Sequence, residues 1–456
     1  MKKLQTVILA AGFGTRMKSN VPKVIHKILD KPLVEHVITA AKDAGSTETC
    51  IIVGHKSEEV KNAIASDNVE YRLQKEVLGT GHAVMMAEDF IDDESLVLIL
   101  FGDTPLITSE TIKKMIDFHV KEENSVTVLS TDVDDPTGYG RIIRNEAGRF
   151  IKSVEHKDAN NDELKVNEIN SGMYCFDGAE LKYALKNLTN HNAQGEYYLP
   201  DTLEILMGIG KKVEAVKTAN YKEILGINNR HQLHIATEIM RERINISLML
   251  EGVTIISSET TFISPDASIG KDTIIYPGTI IEGPCKIGEN CDIGPNARII
   301  MSCIGDDVKV ENSTILDSSI GNNTTVGPYA YIRPNCEIGS HVKIGDFVEV
   351  KNATIKDHTK ASHLTYIGDA DVGSGVNFGC GTVVVNYDGE NKHRTVIEDH
   401  AFIGCNTNLV SPVNVKERAY TAAGSTITKD VPEESLAIAR ARQVNVENWV
   451  SRNRKK

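Results

Sequence analysis

The sequence predicts two architectures in series: an α/β sandwich with a mostly parallel sheet, then a parallel β-helix built from six-residue repeats. Three observations carry this expectation. Short β-rich apolar runs at residues 6–11, 49–53, 96–101 and 125–130 alternate with helical stretches as far as about residue 228, the pattern of strands joined by crossover helices. From 229 to 251 the apolar residues Leu233, Ala236, Met240 and Ile244 recur at helical spacing, with no proline, until Gly252 interrupts, so a connecting helix is expected. Beyond it the period changes to six. Ile269-Gly270, Ile275, Ile281, Ile287-Gly288, Ile293-Gly294 and Ile299 keep one register; after a slip, Ile320-Gly321, Val326-Gly327, Ile332, Ile338-Gly339, Ile344-Gly345 and Val350 keep another. An aliphatic every sixth residue, often followed by glycine, suits short strands separated by turns, each aliphatic pointing into a shared axial core. The register resumes at Ile367-Gly368 and is still visible at Ile403-Gly404, so roughly nine coils are expected if three hexads make one turn.

In chain order, the first strand runs straight into Gly12-Phe13-Gly14-Thr15-Arg16-Met17, with Pro22-Lys23 close behind. Glycines at 12 and 14 remove the Cβ atoms that would keep backbone N–H groups away from phosphate oxygens, and Thr15, Arg16 and Lys23 add donors and positive charge. A nucleotide is the expected ligand, although the spacing alone also fits a tight strand-to-helix turn. Two commoner loops are excluded, because the third glycine of G-x-G-x-x-G is absent and so is the Gly-Lys-Ser/Thr ending of a P-loop. The 96–101 run ends in Gly102-Asp103-Thr104-Pro105, placing a carboxylate at the carboxyl end of a buried strand, where ligands bind. Asp also favours turns for its own hydrogen bonds. Opposite a triphosphate loop, however, Asp103 is expected to hold magnesium, which takes oxygen ligands from carboxylates and phosphates.

In a repeat this regular, interruptions are informative. Polar and aromatic residues fill Lys360-Ala361-Ser362-His363-Leu364-Thr365-Tyr366, so a bulged coil is expected there, with His363 either a base or a hydrogen-bonded surface histidine. The segment Asn386-Tyr387-Asp388-Gly389-Glu390-Asn391-Lys392-His393-Arg394 has no hexad aliphatic and contains a turn-forming Asp-Gly. It should project from the coil as a substrate lid or intersubunit arm.

Composition narrows the classes. With 25% charged residues, 41% hydrophobic residues and a net charge of −13, the 456-residue chain reads as an ordered protein with room for two large domains. Met1-Lys2-Lys3 before an apolar run mimics a signal peptide, but Gln5 breaks the run and Arg16 follows where a cleavage site should be. No apolar run approaches the ~20 residues needed to span a bilayer. The eight cysteines form no C-x-x-C pair, which argues against zinc, and nothing points to an oxidising compartment. A cytoplasmic location is expected. An acidic surface repels phosphates at long range, so nucleic acid is an improbable partner and anionic substrates need local basic sites. The basic ending Arg452-Asn453-Arg454-Lys455-Lys456 reads as a frayed, solvated terminus.

The string from Leu9 to Met17, with Lys23, resembles the signature of the sugar-phosphate nucleotidyltransferases. The hexads resemble those of the left-handed β-helix acyltransferases, which are trimers with active sites between neighbouring coils. The general crossover rule by itself would favour a right-handed coil. Left-handedness and a homotrimer are therefore what the resemblance implies. Taken together, the two modules resemble, over nearly the whole chain, the bifunctional bacterial GlmU family of N-acetylglucosamine-1-phosphate uridyltransferases and glucosamine-1-phosphate N-acetyltransferases. The fold class implied is a Rossmann-like α/β nucleotidyltransferase domain (residues 1–228), a linker helix (229–251), and a left-handed parallel β-helix acetyltransferase domain with its tail (252–456).

The same resemblance assigns two sites. Leu9, Ala10, Ala11, Gly12, Gly14, Thr15, Arg16 and Lys23 would surround the triphosphate of UTP, and Gln74 with Gly79-Thr80 would read the uracil. Gly140, Glu155, Asn170 and Asn228 would contact the N-acetylglucosamine phosphate, while Asp103 and Asn228 would hold Mg2+. In the second site His363 would be the general base, and Arg333, Lys351, Tyr366 and Asn377 would hold the amino-sugar phosphate. Cys380, Asn386, Tyr387, Cys405, Ala423 and Arg440 would line the acetyl-CoA path, and Lys392 would reach across subunits. Cys405 departs from the serine common at that position, so a hydroxyl role there is not carried over. The rival expectations are a sugar nucleotidyltransferase whose β-helix is only a regulatory or trimerisation scaffold, and a regulatory scaffold with neither site active.

Overall fold

In the computed structural model of the protein, which describes residues 2–192 and 194–454, the chain divides into two compact units, Met1–Met240 and Arg241–Lys456. A 21-residue helix, Arg230–Leu250, runs through the division. Of the basic ending, Arg452 lies in a short exposed helix, Trp449–Asn453. Lys455 and Lys456 lie outside the described residues. No helix among the described residues is long and apolar enough to cross a membrane.

The first unit is built on a nine-stranded sheet. Seven strands follow in the order Val213–Lys217, Val126–Asp132, Glu168–Asp177, Leu96–Phe101, Leu4–Ala10, Glu48–Val53 and Val69–Leu73. Every pairing along this path is parallel except the two made by Glu168–Asp177. All seven residues of Leu4–Ala10 are buried: the apolar run Val7–Ala10 suits a strand covered on both faces, and the polar Gln5 and Thr6 before it are buried with hydrogen-bond partners, the Phe90 carbonyl and Ser46 Oγ. Alternate side chains enter two separate cores, Val7, Ile52 and Ile99 on one face and Ile8, Ile51 and Leu98 on the other.

The second unit is a left-handed β-helix of three parallel sheets with eleven, ten and nine strands, which makes nine full coils, two strands of a tenth and one strand beyond it. Its axial core is the hexad aliphatics, with Ile275, Ile293, Ile299, Ile332, Ile344 and Val350 wholly buried. The pattern works because of one backbone device. Three residues past many of the aliphatics the chain turns through the left-handed region, at Asp272, Asn290, Asn296, Asp307, Asn323, Asn335 and Asn406 with φ between 50 and 63°, and at the shorter corners the turn comes two residues on, as at Met301, Asp317 and Asn352. Asn and Asp tolerate that conformation better than other L residues, and glycine takes the same slot at 278, 375, 381 and 424.

The slip between registers lies at the corners: Ile287 pairs with Ile304 and Ile299 with Ile315, so these coils lose one or two residues there while the core slots stay in line. One sequence expectation needs correction. The 360–366 coil does not bulge. Lys360–His363 is a regular strand with Ala361 fully buried in the aliphatic slot, and the large Phe378 occupies the slot of the next coil beside it. The 386–394 segment does leave the coil, as a small exposed hairpin closed by a Tyr387–Lys392 bridge.

Candidate functional sites

In the first unit the candidates gather at the carboxyl ends of two central neighbours, Leu4–Ala10 and Leu96–Phe101. After the first strand the chain crosses to Glu48–Val53 on one side and later to Leu96–Phe101 on the other, so a crevice opens between their ends. Gly14 sits at φ 59°, and a Cβ there would lie 2.6 Å from the Lys23 Cβ, so this glycine is required by the turn and by the lysine stem. Gly12 has no neighbouring atom within 4 Å of where a Cβ would stand; its missing side chain keeps the loop open rather than serving packing.

Lys23 Nζ donates to Asp103 Oδ2 and, at 3.1 Å, to Asn228 Oδ1; Arg16 Nη2 donates to the same Asn228 oxygen at 2.9 Å. The backbone secures both acceptors: Ile227 N–H donates to the Asp103 carbonyl at 2.9 Å, and Gln232 Oε1 accepts from Asn228 N–H at 2.8 Å. One ammonium reaching both oxygens means that one cation can span them, and both are hard donors of the kind magnesium takes. Among the described residues no group of three His, Cys, Asp or Glu side chains gathers, so a cation here would draw its other ligands from phosphate and water.

Gln74 is 3% exposed and donates to the Gly79 carbonyl at 3.2 Å, while Thr80 Oγ1 accepts from Leu199 N–H. Gly79 needs its φ of 107° and its bare α-carbon, because a Cβ would meet the Tyr197 carbonyl at 2.5 Å. The three expected base readers thus form one turn. Gly140, Glu155 and Asn170 also converge: a Cβ on Gly140 would lie 3.3 Å from Glu155 Oε1 and 3.6 Å from the Asn170 Cβ. Asn170 is fixed by donating to Ser153 Oγ and to Tyr174 OH, a partner the sequence did not single out.

Carboxylates crowd behind this group. Burial, then the charge of Asp158, pushes the Glu155 carboxyl up. Burial, then Glu204, Glu155 and Asp158, pushes Asp201 up to about 6. A carboxyl that binds its proton more tightly in the folded state opposes folding once ionised, so its penalty grows as pH rises from its ordinary value of 3.8 through about 6. Asp201→Asn is therefore expected to raise Tm at pH 7.5 and to lose that advantage below about pH 4; calorimetry across this range checks it.

In the second unit, coil stacking assembles the candidates. Asp346 pairs with His363, and the ladders Ala361 to Phe378, Phe378 to Ile403 and Ile403 to Thr421 carry the same corner onward. Two residues past each of these core positions stand Asp346, His363, Cys380, Cys405 and Ala423, in one line along one edge. Arg440 follows the last strand of the same sheet, Leu436–Ala437. Asn377 lies in the strand leading into this corner, beside Lys360.

His363 Nδ1 lies 2.6 Å from Asp346 Oδ1. That hydrogen bond holds the Asp346 carboxyl below its usual range, so the carboxylate can only accept and Nδ1 must donate. In the neutral imidazole the lone pair then lies on Nε2. Asp346 was missed in the sequence, yet it shares His363's hexad slot one coil earlier, which is the signal that could have found it.

The strand after the His363 corner carries the polar pocket. Arg333 and Lys351 follow core residues Ile332 and Val350, which pair directly. Arg333 is bridged to Glu349 at 2.9 Å, and Lys351 lies 3.7 Å from Asp369. Asp369, 7% exposed and also missed in the sequence, accepts from Asn352 and Asn386, while Asn386 Nδ2 reaches Tyr366 OH at 3.4 Å. Lys392 stands against Lys351 of its own chain, and that ammonium pulls its pKa down. All eight cysteines are free thiols, Cys380 half-buried and Cys405 exposed.

Two known families divide the chain in the same way. The nucleotidyl transferase family model matches residues 5–223, and the bacterial transferase hexapeptide model matches residues 266–300 and 317–352. A nucleotidyl transferase joined to a hexapeptide-repeat transferase is the class that this fold and these sites define. Full-length relatives carry the match further. The chain is 54% identical over 452 residues to the bifunctional protein GlmU of Clostridioides difficile, covering 99% of this chain and 98% of that one. It is 56% identical over 447 residues to the Clostridium botulinum protein of the same name, covering 98% of each, and 55% identical over 456 residues to that of Caldanaerobacter subterraneus, covering 100% and 99%. The chain belongs to the bifunctional GlmU family.

Proposed function

We propose that the protein makes UDP-N-acetylglucosamine, first acetylating glucosamine-1-phosphate in the β-helix and then transferring uridylyl from UTP in the first unit. What carries the reading is the assembly, in one chain of the family, of two separate groups of candidate residues. Residues 1–228 are assigned the uridylyl step and 252–456 the acetyl step.

In uridylyl transfer an oxygen of the sugar phosphate attacks the α-phosphorus of UTP, and the α–β bridging P–O bond breaks. Gly12, Gly14 and Thr15 offer backbone donors to the departing pyrophosphate, and Lys23 and Arg16 bring charge to it, so catalysis is positioning and charge neutralisation. Magnesium on Asp103 and Asn228 would add charge neutralisation at the same group. The uracil edge fits the amide of Gln74, and the sugar hydroxyls fit Glu155 and Asn170.

In acetyl transfer His363 Nε2 takes a proton as the amine attacks the thioester carbon, and passes a proton on as the C–S bond breaks. Asp346 fixes the imidazole tautomer and steadies the imidazolium. Lys351, Lys392 and Arg333 supply cationic donors for the sugar phosphate, with Tyr366 and Asn377 toward the sugar. The line from His363 through Cys380 and Cys405 to Ala423 spans three coil steps of ~4.8 Å, roughly 14 Å, a track for the extended arm of acetyl-CoA ending near Arg440. Direct transfer is preferred to a thiol intermediate. A homotrimer is supported by an exposed ridge beside His363: Tyr329 and Phe347 stack at 5.5 Å, and with Leu364 they are 59, 57 and 55% exposed. The location is cytoplasmic.

Incubation with acetyl-CoA, glucosamine-1-phosphate, UTP and magnesium, read by mass spectrometry, is expected to give UDP-N-acetylglucosamine with free CoA and pyrophosphate. Uridylylation of supplied N-acetylglucosamine-1-phosphate without any acetylated sugar from glucosamine-1-phosphate would reduce the β-helix to a scaffold.

A further inference from the structure

The two side chains proposed to hold magnesium already carry a cation supplied by the chain itself. Lys23 Nζ bonds at once to Asp103 Oδ2 and Asn228 Oδ1. The Lys23 and Asp103 side chains are only 13% and 17% exposed, so this contact is partly shielded from water and salt. The base of the lysine is pinned under Gly14, inside the loop proposed to grip the triphosphate, while its four-carbon stem leaves the ammonium free to swing.

We propose that Lys23 is a resident cation of the metal site: its ammonium occupies the Asp103 and Asn228 oxygens until a triphosphate draws it away, so that a divalent cation enters with the nucleotide rather than before it. This rests on the assignment of Asp103 and Asn228 as cation ligands. An ammonium and a divalent cation on one carboxylate repel each other at close range, so the metal binds more weakly while the ammonium stays. In the free enzyme a metal must therefore displace an ammonium whose one ion pair among the described residues is with Asp103. A triphosphate changes this in two ways. It offers Lys23 a more highly charged partner, and it brings the phosphate oxygens that complete the metal's ligand set. Metal and nucleotide then favour each other's binding, and the coupling must be reciprocal. Arg16, donating to the same Asn228 oxygen, is drawn along with Lys23.

Manganese serves as the probe, because its free concentration is read directly by electron paramagnetic resonance, without nucleotide and without turnover. With the full chain, wild type is expected to bind manganese weakly, Lys23→Met at least tenfold more tightly, and Asp103→Asn in the Lys23→Met background to lose that gain. In parallel, magnesium chloride alone should raise the Tm of Lys23→Met and leave wild type unmoved. Lys23→Gln replaces Lys23→Met if circular dichroism shows that the latter has not folded. If Lys23→Met binds no more tightly than wild type although Asp103→Asn still weakens binding, the ligands stand and the displacement is wrong. If Asp103→Asn leaves manganese binding unchanged in the Lys23→Met background, the ligand assignment fails and the proposal with it.

Discussion

His363→Ala is expected to lower acetyl transfer by about 10²–10⁴-fold while uridylyl transfer continues at the wild-type rate. The magnitude follows from the proton. An amine attacking a thioester must shed its proton, and no other group on the His363 corner is arranged to take it: Asp346 is held ionised by the histidine it orients, and Cys380 and Cys405 have no neighbouring cation in the line that would stabilise a thiolate. The fold should tolerate the change, since the His363 side chain is 57% exposed and the core slot of its coil belongs to Ala361. Separate assays of the two half-reactions, with Tm as the control for folding, check this. Loss of both rates in a folded variant would refute independent sites.

Asp103→Asn should do the reverse, lowering uridylyl transfer by about 10²–10³-fold and sparing acetylation. The substitution keeps the volume and one acceptor oxygen but removes the negative charge that Lys23 now engages and that a metal would require. Raising magnesium should recover part of the rate if the loss lies in cation binding. A rate that stays low at any magnesium concentration, with unchanged metal affinity, would place Asp103 outside the cation site.

Much of this was legible in the residues, for identifiable physical reasons. A core slot repeated every sixth residue is hard to hide, because nearly every slot holds an apolar side chain. Hence Ile269 to Val350 announced the β-helix. The opening coil was not legible, since Ile255 and Ile263 stand eight residues apart across an irregular 3₁₀ turn, Ser258–Thr260. The 360–366 coil misled because its two buried residues do not declare themselves: Ala361, in the core slot, is small, and Thr365 is polar. Within the sites, loop glycines and strand-end carboxylates could be picked out singly, but their partners could not. Lys23 meets Asp103 across 80 residues and His363 meets Asp346 across 17, and only strand pairing brings them together. Asp369 was passed over because an acid at a turn reads as solvated surface, whereas three amide and ammonium groups enclose it here.

The corner line of the β-helix has a consequence for insertion and deletion. For the core, any change of six residues is silent, since every aliphatic still points inward. For the edge that carries His363, only a change that preserves all three sides of a coil is silent. Removing a single hexad between residues 364 and 377 would keep the interior filled and turn Cys380, Cys405 and Ala423 by one third of a revolution onto another face. The hairpin at 386–394 shows the permitted kind of change: it lengthens the step from Phe378 to Ile403 to 25 residues, leaves the coil and re-enters it in phase, so the two still stack directly. Stability and activity in this domain thus obey different arithmetic, and a variant can be fully folded yet out of phase with its own active edge.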